Sequence, residues 1–120
     1  MATRVAVITT DSGDNAAVVT ALQDIDGILI RTSPPEQMGA VLRPAPAVAV
    51  LCMGSEANLS TIPVEVRNLT QCPILAVVPS TLVSSLGPSV PVDDFAVIGA
   101  SGTELRTRVR RLARTWPSGG

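Results

Sequence analysis

The sequence predicts an α/β protein with a doubly wound, five-stranded parallel sheet. Five short apolar runs alternate with segments of helical pattern along the 120 residues. These runs lack the strict alternation of apolar and polar residues that marks a half-exposed strand. Strands that are buried on both faces, as in a parallel sheet covered by helices, have this continuous apolar character. The predicted strands are Val5–Thr9, Ile28–Arg31, Val48–Leu51, Ile74–Val78 and Phe95–Ile98.

Helical patterns fill the intervals between the strands and follow the last one. The predicted helices run from Ser12 or Asp14 to about Gln23, from Pro34–Pro35 to just before Pro44, over Glu56–Leu69, over Thr81–Leu86, and from Thr103 onwards. Pro63 is expected to bend or shorten the third helix, because proline removes a backbone hydrogen bond. In the fifth, Leu105, Val109, Leu112 and Trp116 share one apolar face. This alternation implies right-handed crossovers and a flavodoxin-like strand order of 2-1-3-4-5.

Composition excludes several classes of protein. An apolar content of 46% is too high for a disordered chain, and no apolar run approaches the ~18 residues that span a bilayer. The N-terminus shows no secretory signal, so with two cysteines we expect a cytoplasmic protein that does not contact a membrane. A net charge of −1 argues against electrostatic binding of nucleic acid by the chain as a whole. The segment WPSGG at 116–120 reads as the start of a linker that follows a domain at 1–115.

Catalysis is not expected. All nine basic residues are arginine, and the chain has no histidine and no tyrosine, so it offers few groups for general acid–base chemistry. The loop after the first strand, TTDSGDNA, contains only Gly13 and no phosphate-binding glycine motif, which disfavours a nucleotide or flavin enzyme. We predict no catalytic residue, no metal ligand set and no cofactor.

The segment Val92–Ala113 carries a family resemblance. Its sequence, VDDFAVIGASGTELRTRVRRLA, combines an acidic pair, a short apolar strand, a Gly/Ser turn and an arginine-rich helix. It resembles the closing strand, turn and helix of CheY-like response-regulator receiver domains, and the resemblance extends over essentially the whole chain. Such receivers take a phosphoryl group on an aspartate, with acidic Mg²⁺ ligands after the first strand, a Ser/Thr after the fourth and a lysine after the fifth.

The resemblance implies a degenerate phosphorylation crevice. The matching positions in this chain are Thr9, Thr10 and Asp11 for the acidic region, Cys52 for the phosphoacceptor, Val78 for the Ser/Thr and Ile98 for the lysine. A single carboxylate is a poor Mg²⁺ site, so phosphorylation is not expected, although the crevice remains open to an unidentified small ligand. Cys52 is interpreted as an apolar filler rather than as a sensor thiol. A disulfide between Cys52 and Cys72 is not expected, because they lie at opposite ends of their strands.

The arginine cluster of the last helix allows several interpretations. Five of the nine arginines fall within nine residues: Arg106, Arg108, Arg110, Arg111 and Arg114. They can form a solvated face, contact DNA directly, or form an interface with a partner; direct DNA contact is disfavoured because no recognition-helix motif is present.

The pattern DDF…EL…R…RR resembles the OmpR/PhoB branch of response regulators. This resemblance implies a homodimer through the fourth helix, fifth strand and fifth helix, with Asp94, Glu104, Arg108 and Arg111 at the interface. It also implies that Asp94 of one chain pairs with Arg108 of the other. Ser84 occupies the region where a basic partner for Glu104 is expected. The predicted function is a phosphorylation-independent receiver of a winged-helix transcription regulator, which contacts DNA only through an output domain outside this chain. The alternative is a stand-alone pseudo-receiver that acts as a protein-interaction module.

Overall fold

The computed structural model describes residues 3–10, 12–23 and 27–115, with only the backbone for 12–17 and 115. Five parallel strands form one sheet in the order β2-β1-β3-β4-β5, which confirms the predicted fold class and order. The strands are β1 (Thr3–Thr9), β2 (Ile28–Ser33), β3 (Val48–Cys52), β4 (Ile74–Val78) and β5 (Asp94–Val97). The prediction for β4 matches at both ends, and β1 starts two residues before its predicted start because Thr3 pairs with Ile28 of β2.

Four α-helices accompany the strands. They are α1 (Ser12–Gln23), α2 (Gly39–Leu42), α3 (Glu56–Leu69) and α4 (Gly102–Thr115). The predicted second helix is divided into a 3-10 turn at Pro35–Gln37 and the four-residue α2, and the predicted fourth helix is a 3-10 helix at Ser80–Ser85. Pro63 does not shorten α3, which runs its full predicted length with Pro63 buried inside it. No helix among the described residues is long and apolar enough to cross a membrane.

The core consists of two clusters on opposite faces of the sheet. Successive side chains of a strand point to opposite faces, so Val5 and Val7 belong to the cluster beneath α1 and α4, and Ala6 and Ile8 to the cluster beneath α2 and α3. Every residue of β3 and β4 is buried. Burial on both faces accounts for the continuous apolar runs that predicted a parallel sheet. Leu105 and Val109 of α4 are buried as expected, whereas Trp116 lies outside the described residues.

On the face of the sheet that α3 covers, the two edge strands are partly exposed. The side chains of Leu29 on β2 and Phe95 on β5 are 55% and 38% exposed. Phe95 is the register partner of Ala76, which belongs to the cluster on the α3 side. On this side of the sheet the helical segments nearest these edge strands in the chain are short, since a 3-10 turn and the four-residue α2 follow β2 and a 3-10 helix precedes β5. The two edge strands are therefore incompletely covered on this side.

An ionic cluster joins α3 to the starts of β4 and β5. The Asp93 carboxylate oxygen Oδ2 accepts a hydrogen bond from the backbone N–H of Ile74 and one from Arg67, both at 2.7 Å. The Arg67 guanidinium also donates to the carbonyl of Cys72 at 2.8 Å. Charge-assisted hydrogen bonds of this kind fix geometry more firmly than neutral ones. The cluster therefore sets where the two strands begin.

Cys72 lies beneath this cluster and is buried. Burial raises the pKa of its thiol to about 11, and the neighbouring Arg67 opposes that effect without cancelling it. Cys52 and Cys72 are not joined by a disulfide.

We expect the stability of this protein to fall between about pH 9 and pH 11. The unfolded state loses the Cys72 proton in this range and the folded state retains it, so the unfolded state is favoured as pH rises. The chain has no lysine and no tyrosine, the other side chains that ordinarily titrate in this range. The loss should reach roughly 2 kcal/mol near pH 11, measured by urea unfolding at a series of pH values.

The control for this measurement is Cys72→Ala, which should be less stable throughout but should lose that part of the pH dependence. An identical alkaline slope in wild type and variant would show that burial of the Cys72 thiol does not cause it.

Candidate functional site

The predicted crevice lies at the carboxyl ends of the strands, where ligands bind in open α/β sheets. Thr9 at the end of β1 is paired in register with Cys52 at the end of β3, and Cys52 is paired with Val77 of β4. Thr10 donates from its backbone N–H and from its hydroxyl to the carbonyl of Cys52, at 3.2 and 3.1 Å. The Thr10 hydroxyl therefore donates to the backbone of β3 rather than to a ligand.

The Cys52 side chain is buried in the core. It is 4% exposed and belongs to the cluster on the α1/α4 side, together with Val50 and Val77. A reactive thiol needs exposure and a cation that lowers its pKa. This placement supports the interpretation of Cys52 as an apolar filler.

Val78 and Ile98 lie on opposite sides of the sheet. Val78 is fully buried in the cluster on the α3 side, and Ile98 packs partly buried against the cluster on the α1/α4 side. The two residues are joined through the backbone, since the N–H of Ile98 donates to the carbonyl of Val78 at 2.8 Å. Val78 and Ile98 are therefore two aliphatic side chains that each extend one of the two cores.

The described part of this crevice contains no charged group. Asp11 lies outside the described residues, and the other crevice positions are neutral: Thr9, Thr10, Cys52, Val78 and Ile98. Among the residues that the structure describes, no three His, Cys, Asp or Glu side chains come together in a way that could hold a metal ion. Nothing in this part of the crevice can offset the charge of a phosphoryl group.

The predicted interface residues form a second candidate site, at β5 and α4. The Arg108 guanidinium atom Nη1 lies 2.9 Å from Oδ2 and 3.0 Å from Oδ1 of Asp94, and Arg108 Nε lies 3.5 Å from Glu104 Oε2. The Asp94 carboxylate raises the pKa of Arg108 further, mainly through this hydrogen bond. The family resemblance implies that Asp94 and Arg108 pair between two chains. In this structure the two residues pair within one chain.

The remaining arginines of α4 differ in their surroundings. Arg106 donates to the carbonyl of Ala21 at 3.2 Å, one of the carbonyls in the last turn of α1 that have no partner within the helix. Arg111 lines a cavity of about 330 Å³ together with Asp93, Asp94, Arg108 and Leu112. Arg110 and Arg114 are exposed. The arginine cluster is therefore partly a set of structural contacts, which its sequence pattern alone did not indicate.

A polar groove of about 440 Å³ lies between α3 and the segment after the 3-10 helix. Leu59 lines it alongside the carboxylate of Glu56, which accepts a hydrogen bond from the hydroxyl of Ser85 at 3.0 Å. No sequence motif indicated this groove, because its lining comes from two segments that are distant in the chain.

Replacing Cys52 by aspartate should destabilise the fold and should not create a phosphorylation site. The new carboxylate would enter an apolar core, where an unpaired charge costs a few kcal/mol or raises the pKa of the carboxyl group. A raised pKa means that the penalty is small below about pH 4 and grows as pH rises towards 7. Thermal unfolding of Cys52→Asp across this pH range measures the effect.

The matched control is Cys52→Asn, which has nearly the same shape and no charge, so its penalty should not change with pH. If Cys52→Asp melted at the same temperature as wild type at pH 7, this position would be hydrated rather than apolar.

Comparisons with known structures agree with this geometry. A CheY-like response regulator from Mesorhizobium loti superposes with a TM-score of 0.70 at 21% identity, over 94% of this chain and 99% of that one. A two-component response regulator from Clostridium difficile gives a TM-score of 0.78 at 21% identity, over 97% and 99%. The receiver domain of NarL from Mycobacterium tuberculosis gives 0.75 at 16% identity, over 95% and 98%.

At these levels of identity, structural likeness establishes the fold. No protein-family model and no curated protein sequence matches this chain. The five-stranded parallel sheet with flanking helices is therefore the fold of response-regulator receiver domains.

Proposed function

We propose that this chain is a receiver-like signalling domain that works without phosphorylation, as the regulatory part of a transcription regulator. The observation that carries the proposal is the replacement of the phosphorylation chemistry by neutral side chains at Cys52, Val78 and Ile98, in a chain that has no lysine at all. Cys52 and Val78 are buried in the cores and Ile98 packs partly buried against one of them. Contact with DNA would be made by an output domain beyond this chain, as in the OmpR/PhoB branch that the sequence of β5 and α4 resembles.

Incubation with acetyl phosphate and Mg²⁺ should leave this chain unmodified, because there is no acceptor carboxylate at the end of β3 and no lysine to offset the phosphoryl charge. Intact-protein mass spectrometry measures the result, with a phosphorylatable receiver treated in parallel as the control. Beryllofluoride with Mg²⁺ should likewise leave the NMR resonances of the crevice residues unshifted. A stoichiometric, base-labile phosphoryl group on this chain would contradict the proposal.

We further propose that the domain forms a homodimer through β5, α4 and the 3-10 helix, without an activating modification. The apolar stripe of α4 is already buried against the sheet through Leu105 and Val109. The other side of the helix, which carries Glu104, Arg108 and Arg111, therefore lies at the surface, where a second chain can reach it. Because the surface carries both carboxylates and guanidinium groups, it is complementary to a second copy of itself related by a two-fold axis.

Wild-type protein should dimerise reversibly in analytical ultracentrifugation, and Arg111→Glu should weaken the dimer. The substitution places a carboxylate beside Asp93 and Asp94, which line the same cavity. A two-fold interface contains the substitution twice. At ~0.2–1 kcal/mol for each exposed pair, the dissociation constant should therefore rise roughly two- to thirtyfold.

The control for the dimer experiment is Arg43→Glu, an equal charge reversal at an exposed position after α2. It should leave association unchanged. A wild type that remains monomeric at high concentration would exclude dimerisation of the unmodified domain. An Arg43→Glu variant that weakens the dimer as much as Arg111→Glu would exclude this interface.

A further inference from the structure

The Asp94–Arg108 pair is complete within a single chain. Arg108 lies within 3.0 Å of both oxygens of the Asp94 carboxylate, and Asp94 Oδ1 also accepts a hydrogen bond from the backbone N–H of Phe95 at 2.8 Å. Arg108 is engaged a second time, by Glu104 one turn earlier in α4. Three of the four residues assigned to the dimer surface are thus already paired with one another.

This pairing needs no partner chain to form. Asp94 is the first residue of β5 and Arg108 lies in the middle of α4, and the packing of α4 on the sheet brings the two side chains together. Their side chains are 27% and 32% exposed, so the pair lies at the surface and can be reached by another chain. A second copy that offers the same two groups must break this pair before it can form a new one.

We infer that the Asp94–Arg108 ion pair is an intrachain latch on the proposed dimer surface, which cancels the gain that the same two residues would give between chains. The inference rests on the proposed dimerisation and adds its regulation. In wild type, each pair formed across the interface replaces one pair lost within a chain, so the net gain is close to zero. If a ligand or modification occupies or neutralises one of these two side chains, the other side chain of the pair is released and can bind a second copy of the chain.

The test uses two charge-reversed variants of the described chain, Asp94→Arg and Arg108→Asp. Each variant carries two like charges at this site, so it cannot form the latch and should not dimerise with itself. Mixed together, the two variants can form both pairs across the interface with no competing pair within a chain. The mixture should therefore associate roughly two- to thirtyfold more tightly than wild type, at ~0.2–1 kcal/mol for each of two exposed pairs.

Salt dependence gives a second readout. Association of the mixture should weaken markedly as salt is raised, because its gain comes from exposed charges between chains. Wild-type association should respond less, because its pairs are present both before and after association. Analytical ultracentrifugation of each variant alone, of the mixture and of wild type at low and high salt measures both effects.

A milder set of variants guards against misfolding of the charge-reversed chains. A mixture of Asp94→Ala and Arg108→Ala retains one possible pair between chains and no latch, so it should associate up to about fivefold more tightly than wild type. Circular dichroism of each variant checks that the fold is intact.

The outcomes separate the latch from the dimer itself. If wild type dimerises and Arg111→Glu weakens it, but neither mixture exceeds wild type, the latch is wrong and the dimer surface stands. If wild type and both mixtures remain monomeric, the latch and the dimer surface are both wrong.

Discussion

Burial of β3 and β4 on both faces is the constraint on which the rest of this structure depends. All residues of these two strands are buried, so their backbone groups must be paired within the sheet. β1 and β4 supply that pairing for β3, and β3 and β5 supply it for β4. Helices must then cover both faces, and the carboxyl ends of all five strands meet along one edge. The position of the candidate crevice follows directly from this arrangement.

The same burial determines the chemistry of the crevice. Cys52 and Val78 end the two central strands, and both side chains lie in the cores. The apolar interior thus continues to the carboxyl edge of the sheet. The ion pair between Arg67 and Asp93 lies at the opposite ends of the strands, and the pair between Arg108 and Asp94 lies where α4 contacts the start of β5. These two pairs therefore stabilise strand starts and a helix–strand contact.

Arginine performs these structural tasks because its planar guanidinium carries several donors in a fixed arrangement. Arg67 donates to a carboxylate and to a carbonyl at once, which joins three segments of the chain. Arg108 contacts two carboxylates from a strand and from its own helix. A lysine has one charged atom at the end of a flexible chain and cannot hold two separated acceptors in the same way. These contacts therefore need no lysine, a residue that this sequence lacks.

The sequence by itself determined the strand–helix alternation, the limits of β4 and α3 and the neutral character of Cys52, Val78 and Ile98, because these depend on local pattern and residue type. Tertiary structure alone decided three features. Packing reduced the predicted second and fourth helices to short segments, because helices this short have too little intrinsic stability to fix their own length. The alternating direction of side chains along neighbouring strands placed Val78 and Ile98 on opposite faces. The contact between α4 and β5 paired Asp94 with Arg108 within one chain, across a separation of 14 residues that carries no local signal of which chain supplies the partner.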